Sequence, residues 1–544
     1  MKDLIFKAKK LSEDFLAKEK EYMLGFIEAE QPNPLTRTLS EDYSDNTHKG
    51  IGTLMKADKA LIDIFRNIIH SQGFDEFCNK VYDSLSSNGK IVVSGCGATG
   101  RLAMRVEASW RKTMKGTKYE NSVISLMTGG DYALIRAVES FEDYIQLGKM
   151  QARELSLCEN DLLIGVTATG ETTSILGTAL QALADGADVY MVVCTNPDSI
   201  LGKLQRVDDV FTHENCNSLY IPCGGMAVTG STRMQSSSIE QALILSALEL
   251  SIKRINLQKE DKESLIDGFI SSVNAVMASI DSLSENTEKE YALYEKNGRV
   301  TYFANEYLLD VLADTTERGP TFSMPAFRPN KRKDLPLSWA FVKNPFCKTE
   351  EAWERCFERA PRCVEKTEKE YLELGIKTED VGKIPDISQN ALYGFEIGCE
   401  EDEEREQGDS LAMWISDKFP PKEFKTVTRN YKATSSLILQ KDDIIKTELE
   451  IFEHLAMKML LNIFSTGVMA KMGKIYGNYM INLRTTNKKL IDRATRIISD
   501  LCKVDYVTAN YELFLTKLML EEENSGESQV KITIDRLQRR KNNE

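Results

Sequence analysis

Three short segments rich in glycine and hydroxyl groups are the first candidates for chemistry. Ser94-Gly95-Cys96-Gly97-Ala98-Thr99-Gly100-Arg101 lies between an apolar run and a helical pattern. Glycines at such a junction let the backbone approach a ligand, and the N–H groups of a helix start attract an anion. Thr99 adds a hydroxyl donor. A tight strand–helix turn also needs glycine, so this segment alone is ambiguous. Its spacing fits a dinucleotide fingerprint poorly, and no Gly-Lys-Ser/Thr follows as in a nucleotide P-loop. The second segment, Val166-Thr167-Ala168-Thr169-Gly170-Glu171-Thr172-Thr173, packs four threonines into seven positions. Helix N-capping accounts for one of them. The third is Thr229-Gly230-Ser231-Thr232-Arg233-Met234. Three such loops at the C-terminal ends of parallel strands converge where open α/β sheets bind ligands. Together they point to a phosphorylated ligand at Gly97, Thr99, Thr167, Thr169, Thr172 and Ser231.

Carboxylates and one lysine extend the set. Glu139, Glu142 and Asp143 fall on or near one helical turn, and Glu317 opens Glu317-Arg318-Gly319-Pro320-Thr321-Phe322. A carboxylate in a pocket accepts sugar hydroxyls or acts as general acid or base. A solvated surface position is the commoner fate of any single glutamate. Lys474 and Asn478 sit in Gly473-Lys474-Ile475-Tyr476-Gly477-Asn478-Tyr479-Met480. A lysine beside small residues can reach a phosphate, or it can be an ordinary helix-surface lysine.

The elements that must position these residues alternate. Apolar runs at Lys90–Ser94, Val123–Met127, Leu162–Val166, Val189–Cys194 and Ser218–Ile221 read as strands. Helical patterns at Arg101–Met114 and Thr173–Ala184 separate them, the second closed by Gly186. That alternation predicts βαβ units in a mostly parallel, doubly wound sheet. A second set of strands follows at Arg299–Ala304, Leu411–Ile415 and Ser435–Leu439, with a long helix over Glu448–Met472. The acidic run Glu400–Glu406 reads as a solvated helix end or loop. The opening residues of the chain read as an amphipathic helix. The expected division is an N-terminal helical segment (1–45), two α/β domains (46–256 and 257–495), and a helical C-terminal element (496–544) with a frayed end at Arg-Arg-Lys-Asn-Asn-Glu.

At 544 residues the chain is too long for one hydrophobic core. Its 42% hydrophobic and 28% charged content is that of an ordinary soluble protein. A net charge of −14 argues against nucleic acid as a general partner, because a phosphate backbone requires a basic surface. It leaves room for a small anion held by local donors. No apolar run is long enough to span a membrane. The 11 cysteines include no C-x-x-C pair, and the four histidines are scattered. Reduced thiols, no metal, no cofactor and a cytoplasmic location are the expectations.

Taken in order, these motifs resemble two related families, the glucokinase regulatory proteins and the bacterial N-acetylmuramic acid 6-phosphate etherases. The resemblance begins at Gln31-Pro32-Asn33-Pro34-Leu35-Thr36. It continues through the glycine loop, Thr128-Gly129-Gly130-Asp131, Glu139 to Asp143, the threonine loop and Thr229–Met234. It resumes at Ser465-Thr466-Gly467 and runs on through Asn487, Lys489, Leu490, Arg493 and Ala494. The fold implied is that of tandem sugar isomerase (SIS) domains, each a parallel sheet sandwiched by helices, five-stranded in these families. In the etherases the Ser-Thr-Gly segment follows Gly-Ser-Thr-Arg-Met directly. Here a second α/β domain intervenes, the tandem arrangement of the regulatory proteins.

The resemblance therefore implies one composite site, since Ala304-Asn305-Glu306-Tyr307-Leu308 stands where the second domain's glycine loop would be. It carries sugar contacts over to Gly97, Thr99, Glu139, Glu142 and Thr167, with Lys474 arriving from the second domain. Ser109 occupies the place of one etherase glutamate, whereas Glu317 and Glu142 match the two functional ones. Met226 replaces an acidic residue and Gln235 a lysine. Three functions remain open: a sensor of a hexose, ketose or hexosamine phosphate with a sugar kinase as partner, an enzyme, or a structural protein with a decayed pocket. The enzyme is an etherase-type lyase or a sugar-phosphate isomerase in which Glu142 and Glu317 are catalytic.

Overall fold

The computed structural model describes residues 2–136, 139–378, 386–483, 485, 487–523 and 525–543, without the side chains of residues 139, 140 and 541–543. In the first half, β1 (Ile91–Gly95), β2 (Val123–Met127), β3 (Leu162–Val166), β4 (Asp188–Val193) and β5 (Cys216–Tyr220) form one sheet in the order β2-β1-β3-β4-β5. Every pairing is parallel. β1 and β3 are buried along their whole length, which is why they read as unbroken apolar runs rather than alternating ones.

The second half repeats the plan. β6 (Arg299–Phe303), β7 (Ala340–Lys343), β8 (Ser410–Ser416) and β9 (Ala433–Ile438) lie in the order β7-β6-β8-β9, again all parallel. Strand for strand this matches β2-β1-β3-β4 of the first sheet. Among the described residues it has four strands, not the five implied by the resemblance. β7, a four-residue Ala-Phe-Val-Lys strand preceded by a Lys-, Arg- and Pro-rich stretch, is not among the expected strands because it is too short to stand out.

Long helices join the halves. Gln235–Ile255 and Ile451–Lys471 are buried on nearly every face, as expected of helices at the centre of a large protein. They pack on each other, and on Ala98–Met114 and Leu308–Phe322. The start of the Ala98–Met114 helix is thereby held close to the end of Leu308–Phe322. The N-terminal helix Lys2–Lys18 is amphipathic as expected, and its partner lies at the far end of the chain. Leu4, Ala8 and Phe15 pack with Phe514 and Leu515 of the Tyr506–Glu522 helix. A last helix runs over Gln529–Asn543, covering most of the segment that the sequence marks as a frayed end. In the acidic run, Glu403–Glu406 forms one helical turn whose Arg405 is buried against Ser338. No described helix is long and apolar enough to cross a membrane.

Candidate functional site

The glycine loop leaves β1 and enters the Ala98–Met114 helix. Its glycines act differently. Gly97 has φ 56° and ψ −122°, a conformation that side chains rarely tolerate. Gly95 and Gly100 are packing glycines: a Cβ on Gly95 would lie 2.3 Å from the Thr99 carbonyl carbon, and one on Gly100 would lie 1.8 Å from the Met127 sulfur. Among the described residues, the N–H groups of Gly97 and Ala98 donate to nothing, which leaves a helix start open to an anion. Thr99 closes the loop on itself. Its hydroxyl accepts from the Cys96 N–H and donates to the Cys96 carbonyl, both at 3.0 Å.

In the threonine loop the Thr167 and Thr172 hydroxyls are 2.9 Å apart, and Thr169 donates to Glu171 at 3.1 Å. The third loop is braced from two sides. Thr229 donates to the Asn478 side chain, whose amide donates in turn to the Asn33 carbonyl and the Thr36 hydroxyl. Asn33 and Thr36 also donate to the carbonyls of Gly225 and Ala227. The Asn-Pro-Leu-Thr motif and Asn478 are thus buttresses of this loop. Ser231 is buried beside it, with no hydrogen bond from its hydroxyl among the described residues.

The three loops line one cavity of about 150 Å³, room for roughly ten waters and so the scale of a monosaccharide. The second half of the chain completes its wall with Glu317 and Thr321, and with Asn487, Lys489 and Arg493 near the start of the Lys488–Cys502 helix. Among the sequence candidates, Gly97, Thr99, Glu142, Thr167, Thr169, Thr172, Ser231 and Glu317 all line it. The Glu139 side chain lies outside the described residues.

Lys474 is elsewhere, contrary to expectation. Gly473, at φ 66°, ends the preceding helix, and the Gly473 and Lys474 N–H groups donate back to Ala470 and Met469. That turn carries the Lys474 ammonium to 5.6 Å from the centre of the Trp339 ring. The lysine that the second half brings to the cavity is Lys489, with Arg493 one helical turn on. The sequence signal was present: an i, i+4 basic pair behind an Asn487 N-cap, whose side chain accepts from the Leu490 N–H at 2.8 Å.

Charge is tightly organised around this wall. Lys489 Nζ lies 2.9 Å from Glu171, 3.6 Å from Glu142 and 3.2 Å from the Thr169 hydroxyl. Burial works against its ammonium, but Glu171 and Glu142 outweigh burial and raise its pKa. Glu171 also takes Arg206 at 3.0 Å; burial alone would raise its pKa, and Lys489 with Arg206 hold it below the usual range. Glu142 goes the other way: burial lifts its pKa despite Lys489. Asp143 is pushed up to about 7, by burial first and then by the Glu142 charge. Arg493 is held by Glu30 at 2.5 and 2.9 Å and passes over Gly230, where a Cβ would meet its Nε at 2.5 Å. Across the cavity Arg101 pairs with Glu317 and donates to the Ala133 carbonyl at 2.7 Å.

This arrangement offers backbone and hydroxyl donors beside cations, which suits a phosphate. It also offers Glu142, a carboxyl whose hold on a proton burial strengthens, and Glu317, an acceptor for sugar hydroxyls. At the matching place in the second half, loop side chains hydrogen-bond to neighbouring side chains. Tyr307 donates to Asp417 at 3.1 Å, and Asn344 donates to Asn305 at 3.0 Å. Among the described residues no three His, Cys, Asp or Glu side chains gather as a metal site.

Comparison with known proteins bears on this geometry. Residues 75–183 match the family model for the glucokinase regulatory protein N-terminal SIS domain. An N-acetylmuramic acid 6-phosphate etherase of Aeromonas hydrophila is 34% identical over 165 residues, 30% of this chain and 51% of that protein. The chain therefore spans about half of that relative's length. The etherase of Yersinia pestis (strain Pestoides F) is 28% identical over 282 residues, 51% of this chain and 89% of that protein. Among solved structures, the tagatose-6-phosphate ketose/aldose isomerase of Escherichia coli superposes with a TM-score of 0.41 at 11% identity, covering 80% of this chain and 95% of that one.

Proposed function

We propose that this chain, whose residues 75–183 match the model of the glucokinase regulatory protein N-terminal SIS domain, is a regulatory protein that binds a phosphorylated sugar in one composite site between its two halves. The observation that carries the reading is the single cavity to which the halves contribute different chemistry. The first supplies Gly97, Thr99, the threonine loop, Ser231 and Glu142; the second supplies Glu317, Lys489 and Arg493. In this reading the phosphate lies against the helix start at Gly97 and Ala98 and the surrounding hydroxyls. The sugar hydroxyls lie between Glu142 and Glu317. Since each half alone holds only part of the site, occupancy ties the halves together, and a partner protein touching both would sense it. A sugar kinase is the partner class that the resemblance implies, in the cytoplasm.

A second reading is favoured by the presence of both carboxylates and by the etherase relatives. As an etherase-type lyase, one of Glu142 and Glu317 would remove the C2 proton of N-acetylmuramic acid 6-phosphate while the other assists departure of lactate. Thermal unfolding against a panel of hexose, ketose and hexosamine phosphates tests the shared premise. A ligand present at 100 times its Kd should stabilise the fold by about 2.7 kcal/mol. No shift with any of them, N-acetylmuramic acid 6-phosphate included, would remove the premise. Lactate release from that compound, abolished by Glu142→Gln or Glu317→Gln, would install the lyase in place of the sensor.

A further inference from the structure

Behind the sugar cavity lies a smaller one of about 40 Å³, where Ala98–Met114, Gln235–Ile255, Leu308–Phe322 and Ile451–Lys471 meet. The two cavities share Arg101, Arg233 and Glu317 in their walls. The inner one has room for about three waters, too little for a sugar. Its lining holds four cationic side chains, Arg101, Arg105, Arg233 and Lys458, against three carboxylates, Asp310, Asp314 and Glu317.

The carboxylates are already committed. Glu317 pairs with Arg101, and Asp314 takes Arg233 at 3.0 Å and Arg318 at 3.2 Å. Asp310 takes the His454 Nδ1 at 2.8 Å. Lys458 is satisfied by the Arg233 carbonyl at 2.8 Å and the Ser238 hydroxyl at 2.9 Å. Arg105 stands apart. Its side chain is only 8% exposed, its nearest carboxylate oxygen is Asp310 Oδ2 at 3.9 Å, and its N–H groups make no hydrogen bond to any described residue. The Gln241 side-chain amide on the same wall is buried with its nitrogen unpaired. A buried guanidinium without a hydrogen-bonded counter-charge is among the costliest features a fold can hold. Water could accept from its N–H groups but could not neutralise its charge.

We propose that the inner cavity binds a compact monovalent inorganic anion of the chloride class, held by the Arg105 guanidinium and the Gln241 amide. The size of the cavity excludes larger anions, and the surplus of positive charge excludes a cation. The site lies on the seam between the two halves and is separate from the sugar cavity, although the two adjoin.

Two measurements on the full chain test it. In the first, thermal unfolding is followed while sodium chloride replaces sodium gluconate at constant ionic strength. The midpoint should rise with chloride and saturate, and the rise should vanish in Arg105→Met. In the second, crystals grown in bromide should give an anomalous peak in contact with the Arg105 guanidinium in the unaltered protein, an answer that does not depend on the variant folding. Equal midpoints in chloride and gluconate, or an inner cavity without a bromide peak, overturn the proposal. A peak without saturable stabilisation in solution means binding at crystal concentration only and overturns it as well.

Discussion

Replacing Lys489 with methionine is the sharpest perturbation of the composite site, because this one ammonium serves two purposes. It lies 2.9 Å from Glu171 and 3.6 Å from Glu142, deep in the protein. Removing one partner of a buried ion pair costs about 3–5 kcal/mol, chiefly because the remaining charge is left uncompensated. Arg206 still holds Glu171 at 3.0 Å, so the lower end of that range is expected. Glu142 keeps only the weaker pull of Arg493, so its pKa, already raised by burial, should rise further. The ligand suffers separately: a lost hydrogen bond to a charged group is worth about 1.5–3 kcal/mol, or roughly 10- to 150-fold in affinity. The two effects are resolved by adding Glu171→Gln, which removes the stranded carboxylate. The double variant should regain much of its thermal stability while its sugar-phosphate affinity, measured by calorimetry, stays low. A folded Lys489→Met protein that binds as tightly as the parent would refute the reasoning and leave Lys489 as a purely structural counter-ion.

Thr99→Val removes the hydroxyl that closes the glycine loop on Cys96 and should lower affinity about 10-fold or more, since charge-assisted contacts at that loop depend on its shape. Unchanged calorimetric affinity would reduce the loop to a plain turn. Glu317→Gln should weaken binding and Lys474→Ala should not, because Lys474 faces Trp339 rather than the cavity; titration of both variants checks this pair. Asp143 titrates near 7 in the fold against 3.8 ordinarily. Its protonated form favours the fold, so its contribution is complete below about pH 4 and lost as pH rises to about 7. Denaturant titrations of Asp143→Asn should therefore gain stability relative to the parent across that window, by up to about 4 kcal/mol, and then run parallel above it.

Much of this molecule was legible in its sequence. β2, β3 and the Thr173–Ala184 helix stand at their expected bounds, because buried parallel strands are continuous apolar runs and helices announce their ends with glycine. The glycine, threonine and Ser231 loops were equally plain, since hydroxyls crowded at strand ends exceed what capping needs. Tertiary structure alone decided the rest. Lys474 and Lys489 both lie in segments that resemble the same families; the Asn487 cap and the Lys489/Arg493 spacing mark a helix start, but only packing shows that this helix start reaches the cavity. A left-handed glycine at 473 turns one away, and an N-cap at Asn487 aims the other inward. Likewise β7 was too short to stand out, and Glu30 gave no sign that it would neutralise Arg493 and Arg496 from the far end of the chain. Residue types and short spacings record what a segment can do chemically. Which segments meet, and which charge finds which partner, is set by packing between residues hundreds of positions apart, and no local pattern carries that information.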